Sequence, residues 1–545
     1  MQKNKWMILG GVMTAMLLSS LDQTIVSTAM PRIVQELRGI EHLSWVFTAY
    51  MLGSTVTVPV YGKLSDIFGR RKLYILGIAI FLLGSALCGL SQSMNQLILF
   101  RGLQGIGGGA MMVNSFAIIG DVFPPAERPK YQGLIGGVFG LSSVAGPLLG
   151  GWITDNFSWR WVFYVNLPLG IICILILAAA LPKITTMIRD KNIDFIGAAL
   201  VVTTLVPLLL LLVWGGSTYA WSSLPILISF VIVLISFVLF IRTEKRVSNP
   251  ILSLQLFQNR VFVSSVTGLF FTSMGMFGCI LYIPIFAQGV IGASATHSGL
   301  ILTPLMLSLV TASAISGQII SRTGKYKALA IGGTIITVLG MFFFSWMTVD
   351  TSNAQLITHM VILGAGLGST MPIYTLAVQS AFGKERLGEV TAGTQLFRSI
   401  GATVGTAILG GIMNSRLSSE MEKLSQHPFV QQLHQLNPSE KVDGSIVQRI
   451  LYPEMQHKIQ ADFAKAGVGP QHFNSFVTAS KEAFTHSVDM IFLVSGVLMC
   501  FALAAVIFLP QIPLRKSGRP VMEDVGIKLE EELGSADKDH QPAKA

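Results

Sequence analysis

Long apolar runs separated by short polar breaks organise this chain from end to end. Fourteen such runs can be drawn, at roughly residues 7–29, 43–61, 73–91, 97–119, 131–153, 160–181, 194–214, 222–241, 261–285, 298–319, 328–347, 356–378, 390–413 and 487–509. Each is close to the ~20 residues a helix needs to cross a hydrocarbon core of about 30 Å. Lipid supplies no partners for an open sheet edge, so the runs predict helices. The apolar-out, polar-in alternation of an outer-membrane barrel is absent. The expected fold is an all-α polytopic membrane protein with fourteen transmembrane helices. Two stretches break the pattern. Residues 414–486 are polar, with helix-like segments at 418–436 and 447–465, and predict a short helical hairpin over the outer face. Residues 511–545 are acidic and predict a disordered cytoplasmic tail.

Charge fixes the expected orientation. With the N-terminus in the cytoplasm, the inner loops collect Lys63, Arg70, Arg71, Lys72, Arg128 and Lys130, then Lys183, Arg189 and Lys191, with more basic residues near 242–260, 322–327 and 384–386. The short outer loops hold only Arg32, Arg38 and Arg160. This positive-inside bias places both termini in the cytoplasm of a multi-pass protein of a bacterial-type plasma (inner) membrane. It also accounts for the net charge of +10, which is dispersed among loops and argues against a nucleic-acid partner. Of the 545 residues 51% are hydrophobic and 12% charged, where a soluble domain carries about 25% charged. The lipid bilayer is therefore the first partner. The N-terminus lacks a small-residue cleavage site, so 7–29 reads as a retained first helix. Cys88, Cys173, Cys279 and Cys500 all fall inside apolar runs and read as packing residues, with no disulfide or metal spacing. No Walker sequence or nucleophile–base pattern is present, so the expected protein is not an enzyme, needs no cofactor and binds no metal.

A weak internal repeat divides the chain. The segment 62–72 carries Gly62, Asp66, Gly69, Arg70, Arg71 and Lys72, and 317–327 repeats its glycines and terminal basic residues, with Ser321 where Asp66 stands. Gly150 and Gly151 end the fifth run as Gly410 and Gly411 end the thirteenth. Repeated halves are a mark of transporters. The predicted organisation is a six-helix bundle over 1–193, two inserted helices over 194–241, a second six-helix bundle over 242–510 that includes the outer loop 414–486, and the tail 511–545.

Few charged residues lie at membrane depth, where each is costly and is kept for use. Asp22 lies within the first run. Arg101 and Gln104, three residues apart in the fourth run, share a helix face. Arg101 either snorkels outward or pairs with an acid or carbonyl at the depth of Asp22. Gly105 to Gly109 follow no strand and are no dinucleotide loop. At 62–72 the two glycines permit close approach or positive φ, and Asp66 among basic residues can form a latch between helices. Gly140, Gly146, Pro147, Gly150 and Gly151 make the fifth run a closely packing, kinkable helix. Gln395 and Arg398 form a possible polar site in the second half. Asp194 and Asp489 read as helix-end residues, and His297 and His359 as bystanders.

The residues then carry a resemblance. The stretch 21–31 around Asp22 and Thr24 resembles the first-span motif of the fourteen-span drug:proton antiporter branch (QacA/EmrB type) of the major facilitator superfamily. The stretch 62–72 is similar to the superfamily's motif A, Arg101 to Gly105 to motif B, and 140–151 around Gly146 and Pro147 to the antiporter motif C. The stretch 159–168, with Trp159, Arg160, Trp161, Asn166 and Pro168, looks like the branch's sixth-span signature. The resemblance implies a major facilitator fold of two six-helix bundles plus two inserted helices, working by alternating access. It implies a proton-driven exporter of amphipathic, often cationic, toxic compounds, with the proton gradient as energy source and Asp22, Arg101 and Gln104 as coupling residues. An exporter of a native lipid, peptide or antibiotic metabolite is the alternative. An accessory subunit is left open.

Overall fold

The computed structural model describes residues 2–37, 43–125, 127–181, 193–215, 218–291, 302–424, 426–431, 460 and 470–514. Arg38, Lys183, Arg189, Lys191, His297, the 447–465 segment except 460, and the tail beyond 514 lie outside the described residues. The described residues form helices in the order α1 Gln2–Leu37, α2 Leu43–Phe68, α3 Arg70–Leu90, α4 Met94–Val122, α5 Arg128–Asn156, α6 Trp161–Tyr164, α7 Asn166–Ala180, α8 Phe195–Trp214, α9 Leu224–Glu244, α10 Arg260–Gly289, α11 Thr303–Thr323, α12 Lys327–Phe344, α13 Asn353–Ala381, α14 Leu387–Leu424 and α15 Pro470–Ile507. Thirteen segments among the described residues are long and apolar enough to cross a membrane, with α6 and α7 together making one of them. The further long helix is α2, whose Ser54, Thr55, Thr57 and Tyr61 dilute its hydropathy. With α2 the helices correspond to the fourteen runs.

In the first half α1 packs on α5 and α7, and α4 on α2 and α3. The second half repeats the plan: α13 packs on α11 and α12, and α10 on α14 and α15. Close approach depends on glycine. A Cβ at Gly105 would meet the backbone of Tyr50, and one at Gly107 the backbone of Phe81. The inserted α8 and α9 pack on each other, joined by the Thr204–Ser236 hydroxyl pair at 3.0 Å, and α8 also rests on α2 and α14. Leu224, Phe230, Leu234 and Phe237 of α9 are exposed, as a lipid-facing helix requires.

Three expectations change. α14 and α15 run well past the apolar limits at 413 and 487, because the polar stretches 414–424 and 470–486 continue as helix beyond membrane depth. Asp489 is consequently deep inside α15 and caps nothing; its Oδ1 is buried with no hydrogen-bond partner, beside a cavity of about 290 Å³. Cys500 is exposed on α15, whereas Cys88, Cys173 and Cys279 are buried packing residues. Asp194 does cap α8, accepting from the Gly197 N–H at 2.7 Å.

The end of α1 is clasped to the segment before α6. Glu36 accepts from the Trp159 indole at 2.8 Å and from Arg160 at 2.5 Å. The hydrogen bond from Arg160 holds the Glu36 carboxyl below its ordinary value of 4.5, with burial opposing and Trp159 adding to the effect. A depressed carboxyl contributes stability that is present above the unfolded value and lost as pH falls through the folded one. Thermal melts should therefore show a Glu36-dependent loss as pH falls below about 4.5, absent in Glu36→Gln. Because the pair is half-exposed the loss should stay under about 1 kcal/mol.

Candidate functional site

A fully buried polar cluster joins α1, α4 and α7. Asp22 and Arg101 are both fully buried, and Arg101 Nη1 donates to Asp22 Oδ2 at 2.6 Å. Gln104 Nε2 donates to Asp22 Oδ1 at 2.8 Å, while its own Oε1 accepts from Arg101 Nη1 at 2.8 Å. Helical spacing makes this triangle possible, since residues three apart lie on one face. Arg101 therefore pairs inward and does not snorkel. Asn166, at the start of α7, completes the site: its Nδ2 lies 2.9 Å from Asp22 Oδ1 and 3.0 Å from Ser85 Oγ. Tyr50 closes one side, with the Arg101 guanidinium 4.5 Å from its ring centre. The cluster is electrically neutral and closed to water. Removing either partner would leave the other as a buried charge without its counter-ion, so the pair ties α1 to α4.

Next to it α1 meets α5. Ser20 Oγ lies 2.6 Å from Ser142 Oγ, and Thr24 Oγ1 donates to the Ser142 carbonyl at 2.9 Å. A Cβ at Gly146 would collide with Thr24, and one at Gly150 with Thr28. Gly140 faces Val310 and Met306 of α11, in the other half. Gly151 has nothing within 4 Å and contributes no packing. Pro147 stands inside α5 between these contacts. Gly146→Val is expected to part α1 from α5 and lower the melting temperature by about 2–4 °C or more, with Gly151→Ala as the neutral comparison in the same thermal-unfolding assay.

A second cluster lies at the α2–α3 turn. Gly69 adopts φ 91, which only glycine accepts without strain. The turn brings Arg70 into an ion pair with Asp66; Arg70 also pairs with Asp121 at 3.0 Å and donates to Ser65 at 2.5 Å. Asp66 reaches across to the other half, where its two oxygens accept the backbone N–H groups of Gly388 and Glu389 at 2.9 and 2.8 Å. These are the orphan donors at the start of α14, the end of a helix that favours an anion. Gly62 lets the two helices touch, since a Cβ there would strike Ala392. Arg71 and Lys72 enter no ion pair with Asp66 among the described residues. The equivalent turn in the second half has Gly324 at φ 68, but Ser321 only donates to its own helix, to the Gln318 carbonyl at 2.8 Å.

On the same face Gln379 of α13 links both halves. Its Nε2 donates to the Phe116 carbonyl at 3.1 Å and to Thr391 at 3.0 Å, its Oε1 accepts from Gln132 at 3.1 Å, and its carbonyl accepts from Arg128 at 3.1 Å. Burial pushes Arg128 down to about 10, so it stays charged at neutral pH. Sequence reading missed Gln379 and Asp121. Gln395 and Arg398 lie one turn apart on α14; the Gln395 Oε1 is buried without a donor, and Arg398 is half-buried. His359 packs between Phe343 and Phe344.

Comparison with known proteins agrees with this architecture. The family model described as Major Facilitator Superfamily matches residues 12–406. The chain is 45% identical over 415 residues to the multidrug transporter protein MdtP of Bacillus subtilis (strain 168), covering 76% of each chain. It is 39% identical over 417 residues to multidrug resistance protein 3 of the same strain, covering 76% of this chain and 81% of that protein. Among solved structures, that of the proton:xylose symporter XylE superposes with a TM-score of 0.59 at 13% identity, covering 94% of this chain and 97% of that one, and shows the shared fold. The chain belongs to the Major Facilitator Superfamily, and is an integral membrane transporter.

Proposed function

We propose that this transporter is a proton-coupled exporter of amphipathic toxic compounds, working by alternating access from the plasma membrane with both termini in the cytoplasm. Its similarity to proteins named multidrug transporters supports an efflux role. The observation that carries proton coupling is the sealed cluster of Asp22, Arg101, Gln104 and Asn166, in which a protonation change demands helix movement. The hydrogen bonds of Asp66, Arg128, Gln132 and Gln379 join the halves at the α2–α3 face, and the basic loops support a cytoplasmic side for that face. In this state that face is closed. Outside protons reaching Asp22 would loosen α1 from α4, and release of those protons inward would re-form the pair. Each proton brings about 1.4 kcal/mol per pH unit and about 2.3 kcal/mol per 100 mV.

The test is ethidium efflux from energised cells lacking their own pumps, with and without an uncoupler. Efflux that stops with uncoupler is expected. No efflux from a well-expressed protein would shift the cargo to a native lipid, peptide or antibiotic metabolite. Efflux indifferent to uncoupler would refute the proton coupling.

A further inference from the structure

Arg398 differs from the membrane-depth charges of the first half. Asp22 and Arg101 neutralise each other, and Asp66 and Arg70 form an ion pair at the α2–α3 face. None of the ion pairs of the described residues includes Arg398, and no hydrogen bond engages its guanidinium. The sequence explains why. Of the helices packed on α14, α8, α10 and α13 contain no Asp or Glu at all. The acids of α2 and α4 lie at the α2–α3 face, where Asp66 holds the α14 N-terminus and Asp121 holds Arg70. Glu482 and Asp489 of α15 lie toward the opposite end.

Depth removes the other way out. Arg398 is about 16 Å along the axis from Leu387, near the middle of a core of about 30 Å. From there its side chain falls short of either interface and cannot snorkel. Beside it the Gln395 oxygen also lacks a donor, so this stretch of α14 holds one unspent cation and one unspent acceptor. The cluster around Asp22, by contrast, presents no free charge to a cargo.

We propose that Arg398 is the cargo-binding charge of the second half, and that the compounds it selects are amphipathic organic anions, held through a carboxylate. A guanidinium fork matches a carboxylate with two parallel hydrogen bonds, and Gln395 is placed to accept from a neighbouring hydroxyl or amide of the same molecule. This rests on the efflux reading above and adds an anionic class to the cationic cargo expected from the sequence.

The probes are 2-naphthoate and its uncharged isostere 2-naphthamide, titrated into the purified full chain in nanodiscs with tryptophan fluorescence as readout. Wild type should bind the acid about tenfold or more tightly than the amide. Arg398→Gln should erase that ratio while amide binding holds, which also reports that the variant is folded. Arg398→Lys keeps the charge but loses the fork, and should retain an intermediate ratio. An equal affinity of wild type for acid and amide, or an unchanged ratio in either variant, would overturn the assignment. Should Arg398→Gln not fold, the lysine variant decides the matter alone. The two readings fail separately. Ethidium efflux without acid preference removes the Arg398 role, whereas acid preference in a protein that exports nothing removes the efflux role.

Discussion

Asp22→Asn should abolish uncoupler-sensitive efflux. Asparagine keeps the size of the side chain and one oxygen for Gln104 or Asn166, but removes the counter-ion of Arg101. Breaking a buried pair from one side costs about 3–5 kcal/mol, because the remaining charge stays buried. The single variant therefore mixes lost coupling with lost stability. The double variant Asp22→Asn with Arg101→Gln separates them, since it restores neutrality among α1, α4 and α7. It should melt close to wild type and still export nothing in response to a proton gradient. Uncoupler-sensitive efflux by the double variant would end the proton role of Asp22 and leave the cluster as structural glue.

The second large effect is expected from Asp66→Ala. That carboxylate joins Arg70 in its own half to two N–H groups in the first turn of α14, those of Gly388 and Glu389, in the other. Charge-assisted hydrogen bonds contribute about 1.5–3 kcal/mol each. Losing two across the interface should shift the balance between closed and open faces by more than tenfold toward opening at the α2–α3 face. Lys63 is buried on α2 in the closed state. Maleimide labelling of Lys63→Cys from that face should be slow with Asp66 present and at least tenfold faster with Asp66→Ala, alongside a marked fall in efflux. Equal labelling rates would mean that Gln379 and the α5–α11 contact hold the face shut unaided.

The helices were legible because each membrane crossing needs an unbroken apolar run, and a composition signal of ~20 residues is hard to hide. Arg101 and Gln104 were legible for a related reason: polar residues three apart in such a run stand out. Asn166 was visible only as part of a signature, since nothing in its own helix says that it faces an acid 144 positions earlier. Gln379 gave no signal, being one uncharged amide in a long helix whose partners come from both halves. Asp489 misled for the opposite reason. A polar stretch before an apolar run looks like the loop before a helix, whereas Pro470 to Ser487 are already helical and carry α15 beyond the lipid.

The way Asp66 is held has a genetic consequence. Its partners across the interface are main-chain amides, which every residue except proline supplies. At position 389 this contact is made by the backbone, so no compensating substitution there can rebuild it once Asp66 is gone. Second-site revertants of an Asp66 lesion should accumulate instead where side chains meet, around Gln132, Gln379 and Thr391, so that the inheritance of repair follows the encoded contacts and bypasses the backbone ones.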